Sequence, residues 1–163
     1  MRCISCIHVR FITSSEDISL LKSSFTGLYP LDDSKEGLSA YNRAMVNPMG
    51  LVLKPQREGG GNNFYNEDVR KKLKEISAEE RNSFILMDLI QPPRFKNLMM
   101  REGVAHIAEV VSELGIYGVW ISSSNGDIIL NECAGHLMRT KSSDSDEGGV
   151  ASGFAVLDSP FLI

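Results

Sequence analysis

Apolar positions recur at helical spacing through the first half of the chain, and the last third reads as strands. Ser14 and Asp17 have capping-box spacing, Ile18, Leu21 and Phe25 fall on one face after them, and Gly27 can end the segment, which predicts a helix over 14–25. Tyr29 to Asp33 reads as a turn. A second helix is predicted from Ser34 to about Met45, stopped by Asn47-Pro48, since the residue before a proline is steered away from helical geometry. Gly50 to Lys54 (GLVLK) has the pattern of a short buried strand. Asn66 to Ile76 predicts an amphipathic helix with Asn66 as cap, acids in its first turn, bases after them, and Val69, Leu73 and Ile76 in one stripe. Ser77 and Glu80 predict one more capped turn. Phe84 to Ile90 (FILMDLI) is an apolar run of strand length, closed by Pro92-Pro93. Glu113 to Ser122 and Asp127 to Asn131 flank Asn125-Gly126, the strongest short-range signal for a hairpin.

One stretch resists explanation as packing. Lys54 to Tyr65 reads KPQREGGGNNFY. Gly59, Gly60 and Gly61 cost backbone entropy and bury no side chain, so three together fit a backbone that turns through positive φ or approaches something closely. An isolated glycine run is most simply a flexible surface loop, but a strand leading into it is the usual context of phosphate binding. Backbone N–H groups can form an anion-binding concavity, Lys54 can neutralise phosphate charge, and Glu58 with Asn62 or Asn63 offers the oxygen ligands that magnesium prefers. The pattern is not a Walker A loop, because the lysine precedes the glycines and no hydroxyl follows them.

Composition narrows the possibilities. Of 163 residues, 42% are hydrophobic and 23% charged, which argues for a folded chain, and no apolar run approaches the ~20 residues of a membrane span, so a soluble protein with no membrane partner is expected. Seventeen basic against 21 acidic residues give a net charge of −4, which argues against nucleic acid as partner. Cys3, Cys6 and Cys133 are too few and too scattered for a disulfide framework. Cys3 and Cys6 form a CxxC pair, but a zinc site would want a second pair. The start MRCISCIHVRFI has neither the apolar core nor the cleavage site of a signal peptide.

Further along, Arg139 and Lys141 point to one side of a strand by its two-residue period and so offer a fork for a carboxylate and a point charge for a phosphate. Ser142 to Gly149 reads as a mobile surface loop, the kind of segment from which lids are drawn. Asp88 interrupts FILMDLI and reads equally as a residue on an exposed strand face or as a polar contact on a cleft wall. His106 and His136 lack ligand-like spacing and read as structural or surface residues.

In that order, KPQREGGGNN, FILMDLI, SELGIYG, LMRTK and EGGVASGFAVLDS resemble the C-terminal part of the eukaryotic glutathione synthetases, the plant members above all, within the ATP-grasp superfamily. The resemblance runs from about Ser14 to the C-terminus. Residues 1–13 match nothing recognisable and are expected to be a divergent start, unstructured or wrongly assigned. The resemblance implies an α+β fold of ATP-grasp type, an antiparallel β-sheet with flanking helices, incomplete relative to the full family fold. It also implies ATP-dependent ligation of γ-glutamylcysteine to glycine, giving glutathione through an acyl phosphate. ATP and Mg²⁺ would be the cofactors, and the enzyme would be a cytoplasmic homodimer, plastids being an option for a full-length plant relative.

The same resemblance, taken position by position, implies the site. Lys54 and the backbone from Glu58 through Gly59, Gly60, Gly61 and Asn62 to Asn63 would hold the ATP phosphates, with Glu58 also a magnesium ligand. Tyr65 would lie at the nucleotide. Met87, Asp88, Leu89 and Ile90 would line the adenine with backbone hydrogen bonds, although the family commonly carries Glu or Gln where Asp88 stands. Glu113, Lys141 and Glu147 would be further ATP contacts, with Lys141 and Arg139 the catalytic cations. Arg139 would clamp the tripeptide, and Val150 and Ala151 would close on its glycine end. Ser152 departs mildly from the family's alanine-rich loop, and the small Ala151-Ser152 pair would favour glycine over β-alanine. Family enzymes are much longer, and their N-terminal portion supplies much of the γ-glutamylcysteine site, further magnesium ligands and another ATP lysine. The chain alone is therefore expected to bind nucleotide weakly at most and not to turn over. The alternative is a non-catalytic nucleotide-binding or interaction module derived from that enzyme. An unrelated ATP-grasp ligase is disfavoured, because LMRTK and GGVASG are substrate-loop motifs of this family.

Overall fold

A computed structural model describes residues 12–57 and 61–160. The readings made on Cys3 and Cys6, and on Glu58, Gly59 and Gly60, lie outside the described residues. The chain divides after Gln91 into two units. All strand pairs are antiparallel and the helices fall in the first unit among the described residues, so the class is α+β.

The first unit contains α1 (Ser15–Ser23), β1 (Leu28–Tyr29), α2 (Lys35–Val46), β2 (Leu51–Pro55), β3 (Phe64–Tyr65), α3 (Glu67–Glu75), α4 (Ala78–Arg81) and β4 (Phe84–Asp88). Its sheet runs in the order β1-β4-β2-β3. Side chains alternate across the sheet, and the register puts Leu51, Leu53, Phe64, Phe84, Leu86 and Tyr29 on one face. That face meets Ala40 and Ala44 of α2 and Val69 and Leu73 of α3, with Leu31, in one buried cluster. The predicted stripe Val69, Leu73 and Ile76 supplies the α3 side of this core. Each fully buried leucine there stabilises the unit by about 1.5–3 kcal/mol relative to an exposed one. Arg81 is buried too. Its charge is accommodated over the Tyr41 ring, 4.4 Å from the centroid, and 3.5 Å from an Asp33 oxygen.

The predicted caps mostly hold. Ser14 accepts from the Asp17 N–H, and Ser77 and Glu80 form a complete capping box, while Ser34, placed by the sequence only as the start of the second helix, caps it by accepting from the Gly37 N–H. Two expectations fail locally. Asn66 does not cap α3: it sits at φ 49°, its side-chain oxygen accepts from the Gly50 N–H at 2.9 Å, and its own N–H donates to the Leu51 carbonyl at 3.1 Å. A positive φ is uncommon outside glycine, and the two bonds that hold Asn66 there clamp the start of α3 to the start of β2. Gly27 does not end α1, which stops at Ser23 with Ser24 as cap. A Cβ on Gly27 would collide with both an Asp88 carboxylate oxygen and the Tyr29 hydroxyl, so glycine is there to let those groups meet.

The second unit is a sheet of β5 (Phe95–Arg101), β6 (Val104–Ser122), β7 (Ile128–Ser142) and β8 (Ala155–Asp158), in that order. The expected hairpin around Asn125-Gly126 is present, but its strands are far longer than the sequence signalled. Strand β5 was not foreseen. It joins β6 through Glu102 and Gly103, both at positive φ, a turn whose glutamate hid it, since asparagine or aspartate is usual there. β5 pairs with β6 only as far as Val110, and β8 pairs with β7 only over Met138–Lys141. Beyond those limits residues 115–122 and 128–137 form a ribbon paired only within itself among the described residues.

Candidate functional site

Lys54, Tyr65 and Met87, three candidate residues of the first unit, share the sheet face turned away from the helices. By register Val52 lies between Tyr65 on β3 and Met87 on β4, and Lys54, two residues along β2, lies opposite Ile85. Two residues of strand advance by about 7 Å. The face therefore has an apolar and aromatic row, Tyr65–Val52–Met87, with a half-buried cation beyond it toward the glycine segment. A flat heterocycle suits the row and an anion suits the cation. Gly61, at φ 78°, is exposed, and Asn62 and Asn63 are half-buried. Arg57 donates to the Asn62 side-chain oxygen, and the Asn63 amide lies 3.4 Å from the Tyr65 hydroxyl.

Asp88 points the other way. It shares the helix-side face with Leu86, takes the Tyr29 hydroxyl at 2.7 Å on one carboxylate oxygen and the Arg43 guanidinium at 2.6 Å on the other. Arg43 also lies 5.0 Å over the Tyr29 ring. Hydrogen bonding to Asp88, then to Tyr29, holds the Arg43 guanidinium still more firmly protonated. Neither sequence reading of Asp88, exposed strand face or cleft wall, anticipated this cluster. Backbone groups nearby are engaged as well: Asp88 N–H donates to Gly27, its carbonyl accepts from the Thr26 hydroxyl, and Leu89 N–H donates to Gly50. Leu89 is half-buried and Ile90 exposed at the strand's end.

In the second unit the two-residue period places Arg139 and Lys141 on one face, as expected. Arg139 is directly opposite Glu113 and donates to its carboxylate, which raises the guanidinium's proton affinity. Lys141 donates to the Ser145 carbonyl at 2.5 Å and the Asp146 carbonyl at 2.9 Å. Ser142 to Gly149, read from sequence as a mobile loop, is thus folded back onto this ammonium. Glu147 is half-buried, and its carbonyl accepts from the Ser145 hydroxyl. The GGVASG stretch is a compact turn: the Gly149 carbonyl accepts from Phe154, Ala155 and the Ser152 hydroxyl, and the Val150 carbonyl from Gly153. Val150 is half-buried there and Ala151 exposed. The arrangement is two cations on one sheet face beside a small-residue turn, able to take a carboxylate or phosphate in exchange for Glu113 or for the loop carbonyls.

Sequence reasoning missed Arg43, Tyr29 and the Asn66 clamp. Each acts across a long stretch of chain, and only the odd aspartate in an apolar run hinted at a partner. Among the described residues no group of three His, Cys, Asp or Glu side chains is placed to hold a metal ion.

Comparison with known proteins points to one family. Residues 6–162 match the eukaryotic glutathione synthase ATP-binding domain. The chain is 47% identical over 150 residues to a glutathione synthetase of Xenopus laevis, covering 91% of this chain and 31% of that protein. It is 48% identical over 157 residues to a chloroplastic glutathione synthetase of Arabidopsis thaliana, covering 94% of this chain and 28% of that one. Among solved structures, a glutathione synthetase-like effector from Globodera pallida in its apo form superposes with a TM-score of 0.64 at 26% identity, over 91% of this chain and 30% of that one. The chain therefore spans under a third of the length of these relatives.

Proposed function

The chain belongs to the eukaryotic glutathione synthase family through its ATP-binding domain, and on that premise we propose that it supplies the nucleotide-holding and product-gripping residues of a glutathione-forming ligase. The observation that carries the reading is the sheet face of Lys54, Tyr65 and Met87, apolar at one end and cationic at the other, within the matched domain. On this reading Lys54 and Asn62 to Asn63 border the phosphates while Tyr65 and Met87 border the base. Arg139 and Lys141 face the reacting carboxylate and phosphoryl groups, and Val150 and Ala151 the glycine end.

The chemistry proposed is that of the family. A γ-glutamylcysteine carboxylate oxygen attacks the γ-phosphorus and ADP leaves. Glycine's amine then attacks the acyl carbon, forms the amide and expels phosphate. Little covalent work falls to the protein, so fixed cations and positioning carry the rate. Magnesium would accompany ATP. Glu58, the carboxylate assigned to it by resemblance, lies outside the described residues.

Homodimer assembly and a cytoplasmic location complete the reading. No helix among the described residues is long and apolar enough to cross a membrane. With less than a third of its relatives' length, the chain by itself is expected to bind Mg-ATP weakly and not to turn over. An assay with ATP, γ-glutamylcysteine and glycine tests this: phosphate release at background is the expected result, and steady glutathione formation would overturn it. One observation favours a second reading, a binding module that docks on another polypeptide: the second unit's sheet exposes a run of large apolar side chains.

A further inference from the structure

Behind Arg139 and Lys141, on the opposite face of β7, the residue between them is fully buried. Thr140 has no exposed surface. Its hydroxyl donates to an Asp158 carboxylate oxygen at 2.8 Å, and Ser112 Oγ lies 2.7 Å from it. A hydroxyl has one proton, and Thr140's is committed to Asp158, so Ser112 is the donor in the second bond. The same Asp158 oxygen accepts from the Asn97 amide at 3.2 Å, and its other oxygen from the Ser159 N–H at 2.8 Å. Ser112, Thr140, Asp158 and Asn97 come one from each strand, β6, β7, β8 and β5. The bonds join all four strands, with Asn97 on one edge strand reaching Asp158 on the other.

We propose that Thr140 is a positioning residue whose hydroxyl, linked to Ser112, Asp158 and Asn97, sets the register of β7 so that Arg139 and Lys141 are presented on the face of Glu113. Side chains alternate, so a slip of one residue would carry both cations to the other face. β7 has reason to slip. Two register irregularities, between Tyr117 and Gly118 and between Ile121 and Ser122 on its partner, separate the hairpin turn from Arg139, so the turn does not transmit register cleanly to it. Apolar side chains on both faces of the ribbon do little to forbid the alternative pairing. A connected polar chain favours one pairing, because a slip would leave the buried Thr140 hydroxyl without its partners and take one donor from the Asp158 carboxylate. The functional part of this proposal rests on the proposed roles of Arg139 and Lys141; the structural part does not.

Thr140→Val keeps the shape and removes the hydroxyl, and Thr140→Ser keeps the hydroxyl. In the full chain, cross-strand NOEs report whether Glu113 still pairs with Arg139 and Val111 with Lys141, and a Mg-ATP titration reports the site. Thr140→Val is expected to lose both pairings and to weaken Mg-ATP binding about tenfold, whereas Thr140→Ser retains the pairings and stays within about twofold. Should Thr140→Val fail to fold, Ser112→Ala cuts the same chain at its end and is read in the same way. Wild-type pairings in the folded variant that lacks the hydroxyl link, or a Thr140→Ser that behaves as Thr140→Val, would overturn the proposal. A wild-type chain that ignores Mg-ATP would overturn the nucleotide reading alone, since the NOE comparison uses no ligand.

Discussion

In the first unit two helices cover one face of a four-stranded sheet and leave Leu51, Leu53 and Leu86 without exposed surface. The second has no helix of its own among its described residues, and Ile107, Ile116 and Ile129 are 79%, 67% and 66% exposed. Sequence hydrophobicity is similar in FILMDLI and GIYGVWI, but only the first stretch finds a cover. A two-stranded ribbon is marginal in water by itself, and exposed apolar side chains give it no core of its own. The first unit thus carries its own stability. The second carries Glu113, Arg139 and Lys141 on a sheet whose large apolar side chains stay exposed. That contrast fits a chain that matches under a third of its relatives' length.

The contrast can be broken most sharply by truncation. Leu86→Ala is expected to cost about 2–5 kcal/mol, while Ile116→Ala should change stability by less than about 0.5 kcal/mol. Urea melts of the two variants decide it, and an equal cost would mean that the ribbon is already packed. Gly27→Ala comes next, since its methyl must displace Asp88 or Tyr29; a loss of about 1–3 kcal/mol in the same melts is expected.

Ser77→Ala should cost about 1 kcal/mol through the lost cap of α4. The same box sets a pH dependence in the first unit. The Ser77 backbone N–H and then its side chain hold the Glu80 carboxyl below its ordinary value of 4.5. The folded state then binds this proton less readily than the unfolded one. The contribution is present above pH 4.5 and is lost as pH falls through the lower folded value. Glu80→Gln, which cannot titrate, should show a flatter fall of Tm over that range than wild type. Smallest in stability is the paired change Ile116→Thr and Ile129→Thr. It should leave the urea midpoint nearly unmoved and reduce the fluorescence of an apolar dye, which measures the uncovered surface directly.

How legible the molecule was in its sequence follows the same division. Helices α1 to α4 were readable, and so were the caps Ser14 and Ser77, because their signals are local, a hydroxyl and the backbone three residues on. The Lys54–Tyr65–Met87 face could not be derived from spacing, since it depends on the order β4-β2-β3; the charge beside the glycine run nominated Lys54, and the motif resemblance alone nominated Tyr65 and Met87. Asp88 shows the limit of reading one strand at a time. Its partners, Tyr29 and Arg43, lie 59 and 45 residues away, and only the fold makes Gly27 small for their sake. In the second unit the two-residue period correctly put Arg139 with Lys141. The length of β6 and β7 escaped because glycines, an alanine and charged residues interrupt the apolar pattern, and Thr140 and Asp158 looked like ordinary polar residues until the register joined them.

Residue-resolved titration of the chain with Mg-ATP, followed by amide NMR shifts, tests the central claim most directly. The account predicts saturable shifts, at millimolar rather than micromolar ligand, concentrated at Lys54, Gly61 to Tyr65 and Met87, on the sheet face away from α2 and α3. Shifts confined to the helix-covered side around Arg43 and Asp88, or none at all, would contradict it.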